Sequence, residues 1–154
     1  HLNGGVNDFY DPYKNAVITC NVEDVPTEQI YVPFILTQSG LKPLTSVGMS
    51  RRYVKLFDEL SACDAVVCVG YGFNVDDSHI NGLFRELVET NGKMLYWVTA
   101  GEEAKVENLR RQLANRLRVS PVYRNNLRVI PVDRQTRACG DQSWIAAIRE
   151  DAGV

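Results

Sequence analysis

The residues best placed to do chemistry follow an apolar run in the middle of the chain. Residues 65–69 are all apolar, and Gly70 and Gly72 come directly after them. Glycines at such a position let the backbone approach a bound molecule closely and present N–H groups to an anion or a ribose. A helical pattern begins a few residues later. This order predicts a buried strand, a tight loop and a helix, with a small-molecule site at the carboxyl end of the strand.

Further strands and helices must position that loop. Continuous apolar runs predict buried strands, and apolar stripes at helical spacing predict helices between and after them. Their alternation predicts a Rossmann-like, three-layer α/β fold with a mainly parallel sheet and helices on both faces, formed by residues 1–154 as a single domain. The predicted strands are 65–69, 94–99 and 127–132, and the helices begin near Met49, Asp76 or Asp77, Val106 and Trp144.

The N-terminal third carries weaker signals. Residues 1–14 are rich in Gly, Asn, Asp and Tyr, and we expect a loop there. A short strand is predicted over residues 15–20. Residues 21–49 contain several prolines and glycines, with one extended piece expected over 31–37. A long connection inside a compact domain is usually functional, so a flap over a ligand is one interpretation.

The cysteines and the hydropathy pattern narrow the class of protein. The four cysteines include no C-x-x-C pair, so neither a zinc ribbon nor another metal site is expected. Cys63 and Cys68 are interpreted as small core residues. Nothing indicates a disulfide framework, which favours a reducing, cytoplasmic location. No run of 18 apolar residues occurs, so we expect no membrane span and no membrane partner.

Arginines are concentrated toward the C-terminus. Eight lie between Arg110 and Arg137, opposed there only by Asp133. One interpretation is a phosphate-bearing ligand or an acidic neighbouring domain. The other, which we favour, is a solvated helix face with arginine stems lying on apolar surface. Tyr123 among these arginines permits nucleic-acid binding in principle, but the net charge of −2 argues against it.

The Gly-x-Gly pattern alone has low specificity. A dinucleotide fingerprint needs a third glycine and an acidic residue at the end of the next strand. Here the third glycine is missing, and the next strand ends in Thr99 and Ala100. These differences argue against an ordinary dehydrogenase site. A tight turn with no ligand remains the alternative interpretation.

A longer pattern surrounds the loop. Residues 53–81 read Tyr-x-x-Leu-Phe-x-x-Leu-x-x-Cys-Asp-Ala-Val-Val-Cys-Val-Gly-Tyr-Gly-Phe-Asn-x-Asp-x-x-His-Ile-Asn. The pattern resembles the C-terminal part of sirtuin-like domains, the NAD-binding proteins related to protein deacetylases. It is most similar to the divergent prokaryotic branch without a zinc ribbon, and the resemblance covers most of residues 1–132. It implies NAD as the cofactor and hydrolysis of NAD rather than deacetylation, in the manner of prokaryotic antiviral defence proteins.

The resemblance also assigns roles to residues. The loop after the first core strand would hold the ribose and phosphate region of NAD, the end of the second strand would contact the adenosine ribose, and the end of the third would lie near the adenine. These assignments fall on Gly70, Tyr71, Gly72, Phe73 and Asn74, on Thr99 and Ala100, and on Val132 and Asp133.

Two positions depart from the family pattern. Asn3 stands where the family carries a catalytic histidine, and an amide cannot take up a proton at neutral pH. His1 is the second candidate for that role, because it would alternate to the same face of a strand as residue 3. Gly72 stands where the family has a serine or threonine. These departures favour the alternative function, a catalytically degenerate module that senses NAD or ADP-ribose. A structural interaction domain with a vestigial pocket is a third hypothesis.

The family's first half has no counterpart in these 154 residues. It carries a Gly-Ala-Gly-x-Ser phosphate loop and a Gln-Asn-x-Asp segment, and neither occurs here. We therefore expect a partner in the form of a missing N-terminal half or an attached effector domain. A homo-oligomer is also compatible with this resemblance.

Overall fold

The computed structural model describes residues 4–28, 30–35 and 47–153. His1 and Asn3, the two candidates for the catalytic position, lie outside the described residues. The chain divides into two compact units, residues 1–58 and 59–154.

The N-terminal unit contains an antiparallel sheet of three strands, in the order β2-β1-β3. The strands are β1 (Gly4–Asp11), β2 (Ala16–Thr19) and β3 (Val32–Ile35). The short strand predicted over residues 15–20 and the extended piece over 31–37 are thus confirmed within the described residues.

The prediction of a loop over residues 1–14 is wrong, because β1 occupies most of that stretch. Its residues are of turn-forming types, but β1 pairs with a neighbour on each side, and this tertiary pairing overrides local preference. The turn-forming signal belongs to the hairpin that follows. There the Asp11 carboxylate accepts the N–H groups of Tyr13 and Lys14 at 2.9 and 3.1 Å.

Alternating helices and strands, which the sequence predicted, make up the second unit. The first helix begins at Val47, before the predicted start, and it contains the boundary between the units. A short hairpin after the third core strand was not predicted, because two-residue strands are too short to show periodicity. The elements are α1 (Val47–Ala62), β4 (Ala65–Val69), α2 (Ser78–Glu89), β5 (Met94–Ala100), α3 (Val106–Leu117), β6 (Leu127–Val132), β7 (Ala138–Cys139), β8 (Gln142–Ser143) and α4 (Trp144–Ala152).

Strands β4, β5 and β6 form a parallel sheet in that order. Cys68 pairs with Trp97, which in turn pairs with Val129. Because the three strands run in one direction, their carboxyl ends meet at one edge of the sheet. The molecule is therefore a mixed α/β protein in which a three-stranded parallel sheet brings the expected binding loops together.

Both faces of the central strand β5 are buried. Trp97 packs against Phe73, with ring centroids 5.7 Å apart, and Phe73 packs in turn against Phe84 of α2. The next residue back, Tyr96, points to the opposite face, where its hydroxyl donates to Asp151 of α4 at 2.9 Å. Burial on both sides explains why β5 is an uninterrupted apolar run.

The four cysteines differ in burial: Cys68 is buried, Cys63 is exposed, and Cys20 and Cys139 are half-buried. Cys68 lies in the core, and desolvation raises the pKa of its thiol to about 12, which makes it unreactive at neutral pH. The prediction that Cys63 is a core residue is wrong. It follows the last turn of α1 and is exposed, with its Sγ directed at the Glu59 carbonyl. All four cysteines are free thiols.

The described part of the chain contains neither a membrane-spanning helix nor a cluster of metal ligands. No helix there is both long and apolar enough to cross a membrane. No group of three or more His, Cys, Asp or Glu side chains converges in a way that could hold a metal ion.

Candidate functional site

A cavity of about 480 Å3 opens at the carboxyl edge of the parallel sheet. We call it the edge cavity. Its walls come from the ends of all three strands and from the loops that leave them, with Trp144 of α4 on one side. This is the edge at which open α/β sheets bind ligands.

Residues 70–74, the glycine loop, form one wall with their first half. Gly70, Tyr71 and Gly72 line the cavity. Gly70 has φ +69°, in the left-handed region that favours glycine. A Cβ added to Gly70 or to Gly72 would meet no atom within 4 Å, so this part of the loop is open.

Several polar backbone groups of the glycine loop already make hydrogen bonds within the protein. The Gly70 N–H donates to the Val98 carbonyl at 3.3 Å, so it is not available to a ligand. The Tyr71 carbonyl accepts the indole N–H of Trp97 at 2.8 Å, and the Gly72 carbonyl accepts the Arg116 guanidinium at 2.7 Å. These bonds fix the path of the loop along the end of β4.

The second half of the glycine loop packs against the core. Phe73 has no exposed surface and has φ +48°, unusual for a residue with a bulky side chain. Its ring contacts those of Tyr71, Phe84 and Trp97, with centroids 4.8 to 5.7 Å away. Phe73 therefore anchors the loop, and its side chain does not line the edge cavity.

Asn81 of α2 holds the same half of the loop by hydrogen bonds. Its Nδ2 donates to the carbonyl of Asn74 at 2.7 Å and to that of Phe73 at 3.5 Å. Asn74 is exposed and precedes a short 3-10 turn, Val75–Asp77, that leads into α2. Asn74 also lies outside the lining of the edge cavity.

The end of β6 forms the opposite wall through a rigid loop. The Asp133 Oδ1 accepts the N–H groups of Gln135 and Thr136 at 2.9 and 2.8 Å, and the Thr136 hydroxyl at 3.1 Å. These hydrogen bonds, led by the Thr136 N–H, hold the pKa of the Asp133 carboxyl below its ordinary value. The carboxylate thus stays ionised while its loop presents Arg134 and Arg137 to the cavity.

Arg134 and Arg137 give the cavity its positive charge. Across the described ranges, neither guanidinium makes a side-chain hydrogen bond or an ion pair. Val69, Val98 and Trp144 supply an apolar surface to the same space. Paired guanidinium groups beside an apolar wall suit a ligand that joins phosphate groups to a flat apolar ring.

The structure brings most of the sequence-predicted site together. Seven predicted residues meet at the edge cavity, whereas Phe73 and Asn74 lie on the other side of the loop. Arg134, Arg137 and Trp144 were not predicted as site residues. The available signals were the phosphate interpretation of the arginine-rich segment and the position of two arginines just after a strand end. The seven are Gly70, Tyr71, Gly72, Thr99, Ala100, Val132 and Asp133.

A larger cavity of about 760 Å3 lies beside the β7–β8 hairpin. Its lining includes the carboxylates of Glu102, Glu103 and Asp141, and Cys139. Burial and the nearby Glu103 carboxylate raise the pKa of the Cys139 thiol, which keeps it protonated. This acidic cavity would repel phosphate groups, so size alone does not make it the better candidate.

Comparison with known proteins assigns neither a family nor a function to the chain. No family model, no curated protein and no solved structure matches the chain. The chemistry of the edge cavity therefore rests on its own lining residues.

Proposed function

We propose that the chain is a sirtuin-like domain that binds NAD or ADP-ribose in the edge cavity. One observation carries this proposal: the glycine loop, the end of β5 and the two arginines after β6 line a single cavity at the carboxyl edge of the sheet. A volume of about 480 Å3 falls within the range of small-molecule sites. The proposal includes the three-layer Rossmann-like arrangement, supported by Phe84 of α2 on one side of β5 and Asp151 of α4 on the other.

Different lining residues contact four parts of the ligand. Arg134 and Arg137 pair with the two phosphates, because guanidinium groups bind phosphate oxygens in a bidentate manner. Trp144 and Val132 pack against the adenine ring. Thr99, at the end of β5, offers a hydroxyl to the adenosine ribose, and the open glycine loop lets the backbone approach the other ribose.

For catalysis we propose NAD hydrolysis, in a prokaryotic defence protein, with the catalytic group at Asn3 or His1. A sensor of NAD or ADP-ribose is the second candidate, favoured by the asparagine at position 3 and by the lining of the edge cavity. Asp133 is the only carboxylate among those lining residues, and its pKa is lowered by its own loop. A carboxylate with a lowered pKa is a poor general base at neutral pH.

Binding is tested by titrating the chain with ADP-ribose in a calorimeter. The double variant Arg134→Gln, Arg137→Gln should lose about thirtyfold or more in affinity, since each of the two lost charged contacts is worth roughly 1 kcal/mol or more. Arg124→Gln is the matched control, because Arg124 lies in the 3-10 turn Pro121–Asn126 and does not line the edge cavity. Equal affinity of the double variant and the control would show that the ligand does not bind here.

Catalysis is tested on the longest natural form of the protein that can be expressed. Release of nicotinamide from NAD is compared between the unmodified protein and Asn3→His. Turnover by the unmodified protein would exclude the sensor hypothesis. Turnover that appears only after Asn3→His would show a site that kept binding and lost its base, which would support the sensor.

A further inference from the structure

A second cavity lies behind the glycine loop, between the start of α2 and the end of α3. This α2–α3 cavity has a volume of about 260 Å3. Three arginines line it, namely Arg85, Arg116 and Arg118, together with Ser78 and Asn81 of α2. No carboxylate is among the described residues that line it, although Asp76 and Asp77 lie in the 3-10 turn directly before α2.

Much of this positive charge is uncompensated. Arg118 makes no side-chain hydrogen bond or ion pair with the residues that the structure describes. Arg85 pairs with Glu89 at 2.8 Å, but its side chain is 48% exposed, and exposed pairs of this kind are weak. Arg116 donates to a neutral carbonyl, that of Gly72. The cavity therefore attracts an anion.

Asn81 adds an independent indication of a ligand. Its side chain is only 5% exposed, and its Nδ2 is fixed by the carbonyls of Phe73 and Asn74. This leaves Oδ1 as a buried acceptor to which no described residue donates. An unsatisfied buried acceptor is costly, and a small shift of the Asn81 side chain toward the cavity would let a ligand hydroxyl satisfy it.

We infer that the α2–α3 cavity is a regulatory site for a phosphate ester that carries a neighbouring hydroxyl group, as in a sugar phosphate. Arg85, Arg116 and Arg118 bind the phosphate, and Asn81 Oδ1 accepts the hydroxyl. Phosphate binding in the α2–α3 cavity does not depend on the proposed nucleotide site. The regulatory effect of the phosphate, in contrast, rests on the proposed function.

The regulatory effect follows from side chains that serve both cavities. Arg116 holds the Gly72 carbonyl, and Asn81 holds those of Phe73 and Asn74. A guanidinium has five N–H donors, so Arg116 can keep Gly72 while it binds a phosphate. A bound phosphate then fixes an otherwise exposed side chain and stiffens the loop that lines the edge cavity. Ordering the loop in advance strengthens ADP-ribose binding, and by linkage ADP-ribose strengthens phosphate binding.

The phosphate site is tested by NMR titration of the whole chain with inorganic phosphate and with ribose 5-phosphate. Arg118→Asn should weaken binding about tenfold, the loss of one charged contact. Asparagine tolerates the left-handed backbone of Arg118, at φ +54°, so the variant adds no strain. In the double variant Arg134→Gln, Arg137→Gln, the NMR signals of the residues that line the α2–α3 cavity should titrate with both compounds as they do in the unmodified chain. Equal affinity of the unmodified chain and Arg118→Asn would overturn the site.

The coupling is tested by measuring ADP-ribose affinity with and without ribose 5-phosphate. Affinity should rise about fivefold in the unmodified chain, a coupling at the low end of the usual range, and should not rise in Arg118→Asn. A fall of equal size in both proteins would mean competition at the edge cavity, and would overturn the regulatory effect while leaving the nucleotide site in place. Absence of ADP-ribose binding, with phosphate binding intact, would reject the proposed function alone.

Discussion

The two halves of the glycine loop differ sharply in their surroundings. Gly70 and Gly72 face open space, and an added Cβ would touch nothing within 4 Å. Phe73, one residue later, has no exposed surface and packs among three aromatic rings. The buried half fixes the shape of the loop, and the open half is left to meet a ligand. Substitutions in the first half should therefore change binding, and those in the second should change stability.

The largest effect is expected for Phe73→Ala. Loss of a fully buried aromatic side chain costs about 3–5 kcal/mol of unfolding free energy. Urea unfolding followed by tryptophan fluorescence measures this loss, with Phe73→Leu as the control that keeps most of the apolar volume. Phe73→Gly should be no less stable than Phe73→Ala, because glycine relieves the left-handed backbone at φ +48°. An alanine variant as stable as the leucine variant would contradict the anchoring role.

The anchoring role of Phe73 could not be predicted from the sequence. The pattern around residues 70–74 assigned Phe73 to the ligand together with its neighbours. Phe73 adopts the left-handed conformation, which changes the direction of the chain at that residue. The spacing of apolar residues in the sequence does not reveal such a change. The side chain therefore entered the core while the residues before it stayed at the cavity.

The elements that surround the loop were predicted well for a physical reason. Strands β4, β5 and β6 lie in a parallel sheet, and strands of this kind are continuous apolar runs that a sequence displays directly. Strand β1 reads Gly-Gly-Val-Asn-Asp-Phe-Tyr-Asp, which is locally a turn composition, and only its pairing with two other strands makes it extended. Arg134 and Arg137 reach the edge cavity through the geometry of the loop built on Asp133, which sequence spacing does not encode.

The next effect in size is expected for Asn81→Ala. It removes the hydrogen bonds to the carbonyls of Phe73 and Asn74 and should cost about 1–3 kcal/mol, the penalty for buried polar groups left without partners. Asn91→Ala is the matched control, because its Nδ2 makes an exposed bond to Ser61. Its cost should stay below about 0.5 kcal/mol. Equal losses in the two variants, measured by urea unfolding, would mean that Asn81 does not hold the loop.

A smaller effect separates the two glycines of the open half. Gly70→Ala should cost about 1 kcal/mol, because φ +69° is unfavourable for alanine, whereas Gly72→Ala has no positive φ and should be close to neutral. Both methyl groups should weaken ADP-ribose binding, since both positions line the edge cavity. Thermal unfolding and calorimetry measure the two properties separately. A Gly72→Ala variant that loses stability would show that the first half of the loop is packed after all.

The smallest effect lies at the opposite end of α2, at Glu89. The Ser120 N–H donates to its carboxylate at 2.6 Å and, with Arg85, lowers the pKa of Glu89 below 4.5. Because the folded-state pKa is lowered, the ionised carboxylate stabilises the fold above pH 4.5, and this contribution is lost as the pH falls through the folded-state value. Glu89→Gln keeps an acceptor for Ser120 and removes the charge. It should lower stability at pH 7 by less than about 1 kcal/mol, and this deficit should disappear as the pH falls through the folded-state pKa of Glu89.

Urea unfolding at a series of decreasing pH values follows this difference, and a deficit that does not shrink as the pH falls below 4.5 would contradict its electrostatic origin. Glu89→Gln also tests whether the C-terminal end of α2 influences the glycine loop. Within the described part of the chain, Glu89 makes no hydrogen bond to the glycine loop, which α2 holds through Asn81 near its N-terminus. If α2 positions the loop only from that end, loss of charge at Glu89 leaves ADP-ribose affinity unchanged. A change in affinity would mean that the helix transmits its C-terminal contacts along its length to the loop.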